Sequence, residues 1–598
     1  MHPFAPAMDC ETAPLLGDQK PNPHPARREQ HAQAPPSLRD RIVKLLVVTI
    51  LANLALVVTL PHLRPYFPFQ RHALRYPGER IEWAPCGTLA GRDLECSTIT
   101  VPMDHFNPAT SVDKVFTVPL LRMRSPNATA TNLLLNPGGP GGSGTSLVHR
   151  KGAAIAAVVG DGFHLLGFDP RGMNDSRPLA ACYPTADARR DLADVRAKKL
   201  EEDSGELWAW TQNYVRACKD TMGEFAGYVN TPQTAADMNS ILDAVGQQGL
   251  FYWGFSYGTL LGQTYATLFP ERSERVIIDG VANQFDWYDA LLDAEMLVDT
   301  DRVFEGFVDE CMKAGKDRCA LAGLASSKEA LQDKLVVEIN KLRDEPLPVY
   351  VNNTIYGVLD YWAVWGNGVF SALYRPAGWA DLATNLAALL QGNATAAFLA
   401  YGMDKAWDSE GDGLNFVSLN DGAAGPDRWQ TNRTGLVSEL LPFFNQSLFS
   451  DTELDFYFAK QAWAIPRTHS YVPKRGVKTA HPLLLLSTTY DPVCPLVSAR
   501  SAKDAFEGSQ IVEVKGYGHC SLAVPSLCVA NHVRNFLYEA KVPDEYTVCE
   551  ADGTPYFSKP EDHAAFVTSA SCTNEEKKIM LAQQELARDS WLRPRRGW

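Results

Sequence analysis

The sequence predicts an α/β fold, a doubly wound and mostly parallel eight-stranded sheet interrupted by a mainly helical lid. Three observations predict it. The runs "TNLLLNPGG", "FHLLGFDPRG", "GLFYWGFS" and "RVIIDGV" are continuously apolar and each ends in Gly, Asp or Ser. That pattern suits strands buried on both faces of a parallel sheet. Helical stretches separate them, as in "TAADMNSILDAVGQ", where Met238, Ile241, Leu242 and Val245 recur on one face. Finally, helical, aromatic-rich chain runs from about residue 284 to 477 before strands resume with "HPLLLLSTTYD" and "SQIVEVKGYGH".

In chain order, residues 1–41 are rich in Pro and polar groups and read as a disordered cytoplasmic tail. Residues 42–62 carry "LLVVTILANLALVVTL" (Leu45 to Leu60), uncharged and, with Lys44 snorkelling, long enough to span a bilayer. This segment is expected to be a transmembrane signal-anchor helix in contact with lipid. A linker follows over 63–77. The first part of the core is expected over 78–283, opening with strands in "STITVPM" and "KVFTVPLLRM". The lid spans 284–477, the second part of the core 478–560, and a charged extension 561–598.

Basic residues flank the apolar segment evenly, so the positive-inside rule does not orient it. Cysteines and sequons do. Every Cys except Cys10 follows the segment, and the short spacings Cys86/Cys96, Cys311/Cys319 and Cys520/Cys528 suit disulfides. The odd number beyond the segment predicts one unpaired thiol. Sequons at Asn127, Asn352, Asn393, Asn432 and Asn445 are candidate glycosylation sites on the same side. A sixth, at Asn174, is discounted below. Together they predict a single-pass type II protein with its globular part lumenal or extracellular.

The formal net charge of −14 argues against a nucleic-acid partner. "GGPGGSGT" lacks the Lys of a phosphate loop, and neither HExxH nor CxxC occurs, so no cofactor and no metal are expected. The oligomeric state is left open.

The chemistry centres on "GFSYG". A serine hydroxyl needs a base to take its proton and an acid to fix the base's tautomer. On the α/β-hydrolase fold these come in the order Ser, acid, His, each at the C-terminal edge of a strand. Ser256 follows "LFYWGF", Asp491 follows "LLLLSTTY" and His519 follows "IVEVK". Gly254 and Gly258 would permit the crowded bend at the serine. An oxyanion hole needs backbone donors: Tyr257, directly after the nucleophile, and Gly138 or Gly139 in "NPGGPGGSG".

"NPGGPGGSG", "FDPRGMNDS", "GFSYGTLLGQTYATLFP", "TTYDPVCPL" and "GYGHCSLAVPSLC" resemble, in order, the motifs of the tripeptidyl-aminopeptidase-like α/β-hydrolases, relatives of the prolyl aminopeptidases. The resemblance covers roughly residues 80 to 560. It implies a serine exopeptidase acting on peptides with a free N-terminus, with Ser256 as nucleophile, His519 as base then acid, and Asp491 as its orienter. Asn174 departs from the family's glycine, but Asn tolerates left-handed geometry. A turn packed near the catalytic edge makes it a poor glycan acceptor. Cys494 stands where the family more often has a residue such as Thr, and is the candidate for the unpaired thiol.

An aminopeptidase also needs carboxylates to hold the substrate's ammonium. Asp299, Asp301, Glu305 and Asp360 in the lid are the candidates. Two other functions compete: a carboxylesterase or lipase on the same fold, and a non-catalytic ectodomain.

Overall fold

The computed structural model describes residues 73–588, apart from 194, 196–198, 404–409 and 554–555. Twelve strands are present among them: β1 (Ala84–Leu89), β2 (Arg92–Pro102), β3 (Val115–Met123), β4 (Thr131–Asn136), β5 (Phe163–Phe168), β6 (Leu250–Phe255), β7 (Ser273–Asp279), β8 (Leu347–Asn352), β9 (Ile355–Leu359), β10 (Leu484–Tyr490), β11 (Gln510–Tyr517) and β12 (Thr547–Cys549). Ten form one sheet in the order β1-β2-β3-β5-β4-β6-β7-β10-β11-β12. From β5 to β12 every pairing is parallel, whereas β1, β2 and β3 add an antiparallel edge.

The expected eight strands are therefore ten. β1 folds back on β2 across the Cys86–Cys96 disulfide, and β12 is a three-residue strip against β11. Neither has the long apolar run that marks the central strands.

Period-2 alternation sorts the strand residues between two layers of helix. In β4, Leu133 and Leu135 join an apolar cluster that includes helices Gly144–Val159 and Leu527–Glu539. Leu134 joins the opposite cluster with helices Thr231–Ala244 and Tyr257–Leu268. The charged C-terminal stretch forms helix Asn574–Arg588, whose Ile579 and Leu586 are buried in the first of these layers.

Between β7 and β10 the chain is mainly helical but also contains the β8–β9 hairpin, a two-stranded sheet of its own. Its apolar residues divide between two clusters. One gathers Val303, Phe307, Trp365, Trp379 and Phe398 and reaches Val493 and Cys494 behind β10. The other gathers Trp429, Leu440, Phe443 and Tyr457 with Leu207 of helix Leu200–Met222, which lies outside the expected lid.

Four disulfides are formed among the described residues: Cys86–Cys96, Cys182–Cys218, Cys311–Cys319 and Cys528–Cys549. The expected Cys520/Cys528 pair is not among them. Cys520 is buried beneath the sheet edge beside Gly280, while Cys528, on the next helix, meets Cys549 of β12. Among the described residues three thiols remain free, rather than the one expected beyond the apolar segment: Cys494, as expected, with Cys520 and Cys572.

The expected bilayer-spanning segment 42–62 lies outside the described residues. Among the described residues no helix is long and apolar enough to cross a membrane.

Candidate active site

Ser256 sits between the end of β6 and the start of helix Tyr257–Leu268, with φ 57° and ψ −126°. This left-handed conformation costs a non-glycine residue energy and persists because its surroundings over-determine it. The Ser256 N–H donates to Asp279 O at 3.0 Å, and its carbonyl accepts from Thr259 N at 2.7 Å. No side chain fits at the flanking glycines. A Cβ on Gly254 would meet Tyr252 Cε1 at 2.4 Å and Gly258 O at 2.5 Å; one on Gly258 would meet Asn136 Oδ1 at 2.9 Å.

Asp491 follows β10 and is fully buried. Its Oδ1 accepts from Val493 N at 3.0 Å and Cys494 N at 2.8 Å, and its Oδ2 from Cys520 N at 2.8 Å. His519 Nδ1 lies 2.9 Å from both oxygens. A carboxylate only accepts, so Nδ1 carries the proton and Nε2 is left as the basic nitrogen.

That nitrogen is buried and has no hydrogen-bond partner among the described residues. The Ser256 hydroxyl lies beside the Cys494 thiol. The Cys494 sulfur, a ring nitrogen of His519 and a carboxylate oxygen of Asp491 all lie within 4.8 Å of one another. Serine, histidine and aspartate are thus gathered at one rim of the sheet. The Asp–His bond is made. Burial pushes the Cys494 thiol well above its ordinary pKa, which keeps it protonated and a weak competitor as nucleophile.

The glycine loop lies against the serine. Gly138 (φ +89°) packs so tightly that a Cβ there would meet Phe255 O at 2.2 Å and Ser256 Cβ at 2.9 Å. Its N–H donates to Asn136 Oδ1 at 2.9 Å. Of the two glycines, Gly139 is then the one whose N–H has no acceptor among the described residues. Tyr257 N stands at the positive end of its helix, beside Gly138. Asp169 anchors the loop through Ser143 Oγ at 2.6 Å, and Asn174 Nδ2 donates to Gly141 O at 2.9 Å. Asn174 holds φ +49°, the left-handed turn expected where the family has glycine.

The amine-site candidates separate. Asp301 accepts from Ser447 Oγ and Leu448 N, Asp360 caps the Ala363 N–H, and Glu305 pairs with Arg302 on an exposed face. Asp299 is half-buried and beside the acid loop, since its neighbour Thr300 donates to Pro492 O at 2.6 Å. Burial, reinforced by the charge on Asp491, pushes its carboxyl up to about 6.

Three residues near the site were not anticipated. Tyr374 stacks edge-on to His519 at 4.8 Å and accepts the His519 N–H at 3.0 Å, while Arg375 donates to His519 O at 3.0 Å. No local motif marks these two. Asp279, at the end of β7, accepts from Ser521 N at 2.6 Å and Ser521 Oγ at 2.7 Å and so holds the turn after His519. Its signal was present in "RVIIDGV", a strand ending in Asp. Burial raises its carboxyl to about 6.

Two families match. Residues 131–314, which hold the glycine loop and Ser256, match the alpha/beta hydrolase fold; residues 455–549, which hold Asp491 and His519, match the TAP-like proteins. Together the two matches fit the TAP-like α/β-hydrolase family that the sequence motifs resemble. Serine protease Hip1 of Mycobacterium tuberculosis is 28% identical over 542 residues, covering 86% of this chain and 99% of that protein. Tripeptidyl aminopeptidase of Streptomyces lividans is 26% identical over 499 residues, covering 79% of this chain and 87% of that one. Carboxylesterase B of Mycobacterium tuberculosis is 25% identical over 477 residues, covering 77% and 86%. The hydrolase-fold match together with serine protease and tripeptidyl aminopeptidase relatives supports a serine hydrolase.

Proposed function

We propose that the chain is a serine peptidase that releases short peptides or single residues from free N-termini. The observation that carries this reading is the His519–Asp491 pair, buried beside a serine held in a left-handed bend.

In the proposed course the Ser256 hydroxyl bonds His519 Nε2 as substrate enters, since such bonds often tighten only in the Michaelis complex. His519 takes the proton while Oγ attacks the scissile carbonyl. Asp491 stabilises the imidazolium without accepting the proton. The N–H groups of Gly139 and Tyr257 receive the oxyanion. His519 then protonates the leaving amine, and water attacks the acyl-enzyme with His519 again as base. Asp299 holds the substrate ammonium, the charge that distinguishes a free N-terminus.

The catalytic unit works on the oxidising side of a membrane, tethered through residues 42–62. Four disulfides and the uncharged Leu45–Leu60 run support that arrangement. Extraction of the full chain from membranes by detergent but not by alkaline carbonate tests it.

The carboxylesterase among the relatives favours a second reading, ester hydrolysis at the same serine. A panel of free-amine peptidyl amides, N-blocked peptides and short acyl esters, run with wild type and Ser256→Ala, separates them. Turnover of free-amine peptides in wild type alone supports the peptidase. Turnover restricted to esters supports the second reading, and silence throughout rejects both.

A further inference from the structure

The side chain of Tyr257 begins a buried chain of polar groups that ends on the lid. Its phenol oxygen lies 2.6 Å from the Oγ1 of Thr231, the first residue of helix Thr231–Ala244. Thr231 Oγ1 donates to Asp421 Oδ2 at 2.5 Å, and Thr231 N donates to Asp421 Oδ1 at 2.9 Å. Trp287 Nε1 donates to Asp421 Oδ2 at 2.9 Å, and its ring lies 5.7 Å from that of Tyr257. Thr231 and Asp421 are fully buried and Tyr257 nearly so. Asp421 ends helix Glu410–Asp421 and Trp287 sits in helix Gln284–Asp289, both between β7 and β10.

This chain has one direction. Burial raises the Asp421 carboxyl to about 6, so at neutral pH it is ionised and only accepts. The single hydroxyl proton of Thr231 is committed to it. The Tyr257 phenol therefore donates to Thr231 Oγ1, and its ring is held from the lid side. His469, 3.8 Å from Asp421, brings no charge, since burial lowers it to about 3. Its Nε2 lies instead 3.1 Å from Asn420 O.

We infer that Asp421 is a positioning residue for the oxyanion hole, fixing through Thr231 the side chain of the residue that directly follows the nucleophile. This role stands on the proposed reading of Ser256 and Tyr257, and it is the same for a peptide or an ester. A backbone donor is worth most when it is aimed in advance at the developing charge. Ser256 is held in a left-handed bend, so rotation of the next peptide is the nearest route to relief. A phenol tied at the far end of the Tyr257 ring resists that rotation. A lid helix thereby sets the aim of a donor in the core.

The test uses the full chain. Tyr257→Phe removes one oxygen, Thr231→Val removes the hydroxyl but keeps the backbone donor, and Asp421→Asn replaces an acceptor by a donor. Asn420→Ala is the control, because its carboxamide ties the same helix end to Ala226 O, Val229 O and Trp463 Nε1 but not to Tyr257. The readouts are kcat and KM on the best substrate of the panel above, the inhibition constant of a matching trifluoromethyl ketone, and the melting temperature. In Tyr257→Phe and Thr231→Val kcat should fall about three- to tenfold, the worth of one neutral hydrogen bond. In Asp421→Asn it should fall about ten- to a hundredfold, the worth of a bond to a charged group. KM should change little, and the ketone, whose adduct carries the oxyanion, should weaken by the same factor as kcat. Tyr257→Phe combined with Thr231→Val should be no slower than the slower single variant, because both break one chain. Asn420→Ala should lower the melting temperature and leave kcat unchanged.

Lowered melting temperatures with kcat and ketone affinity unchanged would make the chain purely structural and overturn the inference. A rise in KM alone, or fully additive losses in the double variant, would overturn it as well. If Asp421→Asn does not fold, Tyr257→Phe decides by itself. A wild type that turns over nothing in the panel and takes no fluorophosphonate overturns the serine reading and this role with it. Turnover by wild type with unchanged variants overturns this role alone.

Discussion

His519 Nδ1 sits 2.9 Å from both carboxylate oxygens of Asp491, two residues 28 positions apart that are each almost wholly buried. Three backbone N–H groups, from Val493, Cys494 and Cys520, fix the carboxylate that fixes the ring. Replacing Asp491 by Asn preserves the shape but offers a donor to Nδ1, which would then hold the wrong tautomer. The expected result is a kcat lower by about 10⁴ with a little-changed KM, since the residual rate comes from the oxyanion donors and binding, and a lowered melting temperature, since the amide nitrogen then faces a buried backbone N–H that the carboxylate accepted. Steady-state kinetics and a melting curve check it.

Gly138 carries the alignment of glycine loop and serine. Gly138→Ala puts a methyl where Phe255 O and Ser256 Cβ already lie, at a positive φ. The loop must move away, taking the Gly139 donor with it. A kcat loss of about 10² to 10³ is expected, the size of a lost oxyanion donor, with circular dichroism unchanged.

Asp299 predicts a pH dependence with a definite sign. Its carboxyl is raised to about 6, so it is ionised above that pH and neutral below it. Only the ionised form attracts an ammonium. The ratio of kcat/KM for a free-amine peptide to that for its N-acetylated counterpart should therefore fall as pH drops through about 6. In Asp299→Asn the ratio should be flat and about ten- to a hundredfold lower at neutral pH, the worth of a charged hydrogen bond. Using the ratio cancels titration of the catalytic groups common to both substrates.

The disulfide map predicts a chemical outcome. Among the described cysteines, alkylation of the denatured, unreduced chain should tag Cys494, Cys520 and Cys572, and peptide mapping should join Cys528 to Cys549. Cys549→Ser should cost about 2–4 kcal/mol, because the cross-link limits the unfolded chain and ties β12 to the sheet. A Cys520–Cys528 peptide would refute this pairing.

Much of the site was legible in the sequence because its chemistry demands particular residue types at particular bends. Ser256 between two glycines, Asp491 and His519 after apolar runs, and the Gly138–Gly139 loop all carry local signals. The parallel strands declared themselves through runs such as "FHLLGF", every residue of which is buried. What was hidden depends on meetings between distant segments. Nothing near Tyr374 or Arg375 says that they clamp His519, and nothing near Asp301 says that Ser447 and Leu448 occupy it. Cys528 chooses Cys549 over the nearer Cys520 because β12 brings it there. A strand as short as Thr547–Cys549 has no periodicity to read.

The most direct measurement of the central claim is active-site mapping with a fluorophosphonate, which forms a covalent adduct only with an activated serine. One adduct per chain is expected, on the tryptic peptide that contains Ser256, absent from Ser256→Ala and strongly slowed in His519→Ala. An adduct on another serine, or labelling of Ser256 that proceeds equally well without the imidazole at 519, would contradict the account.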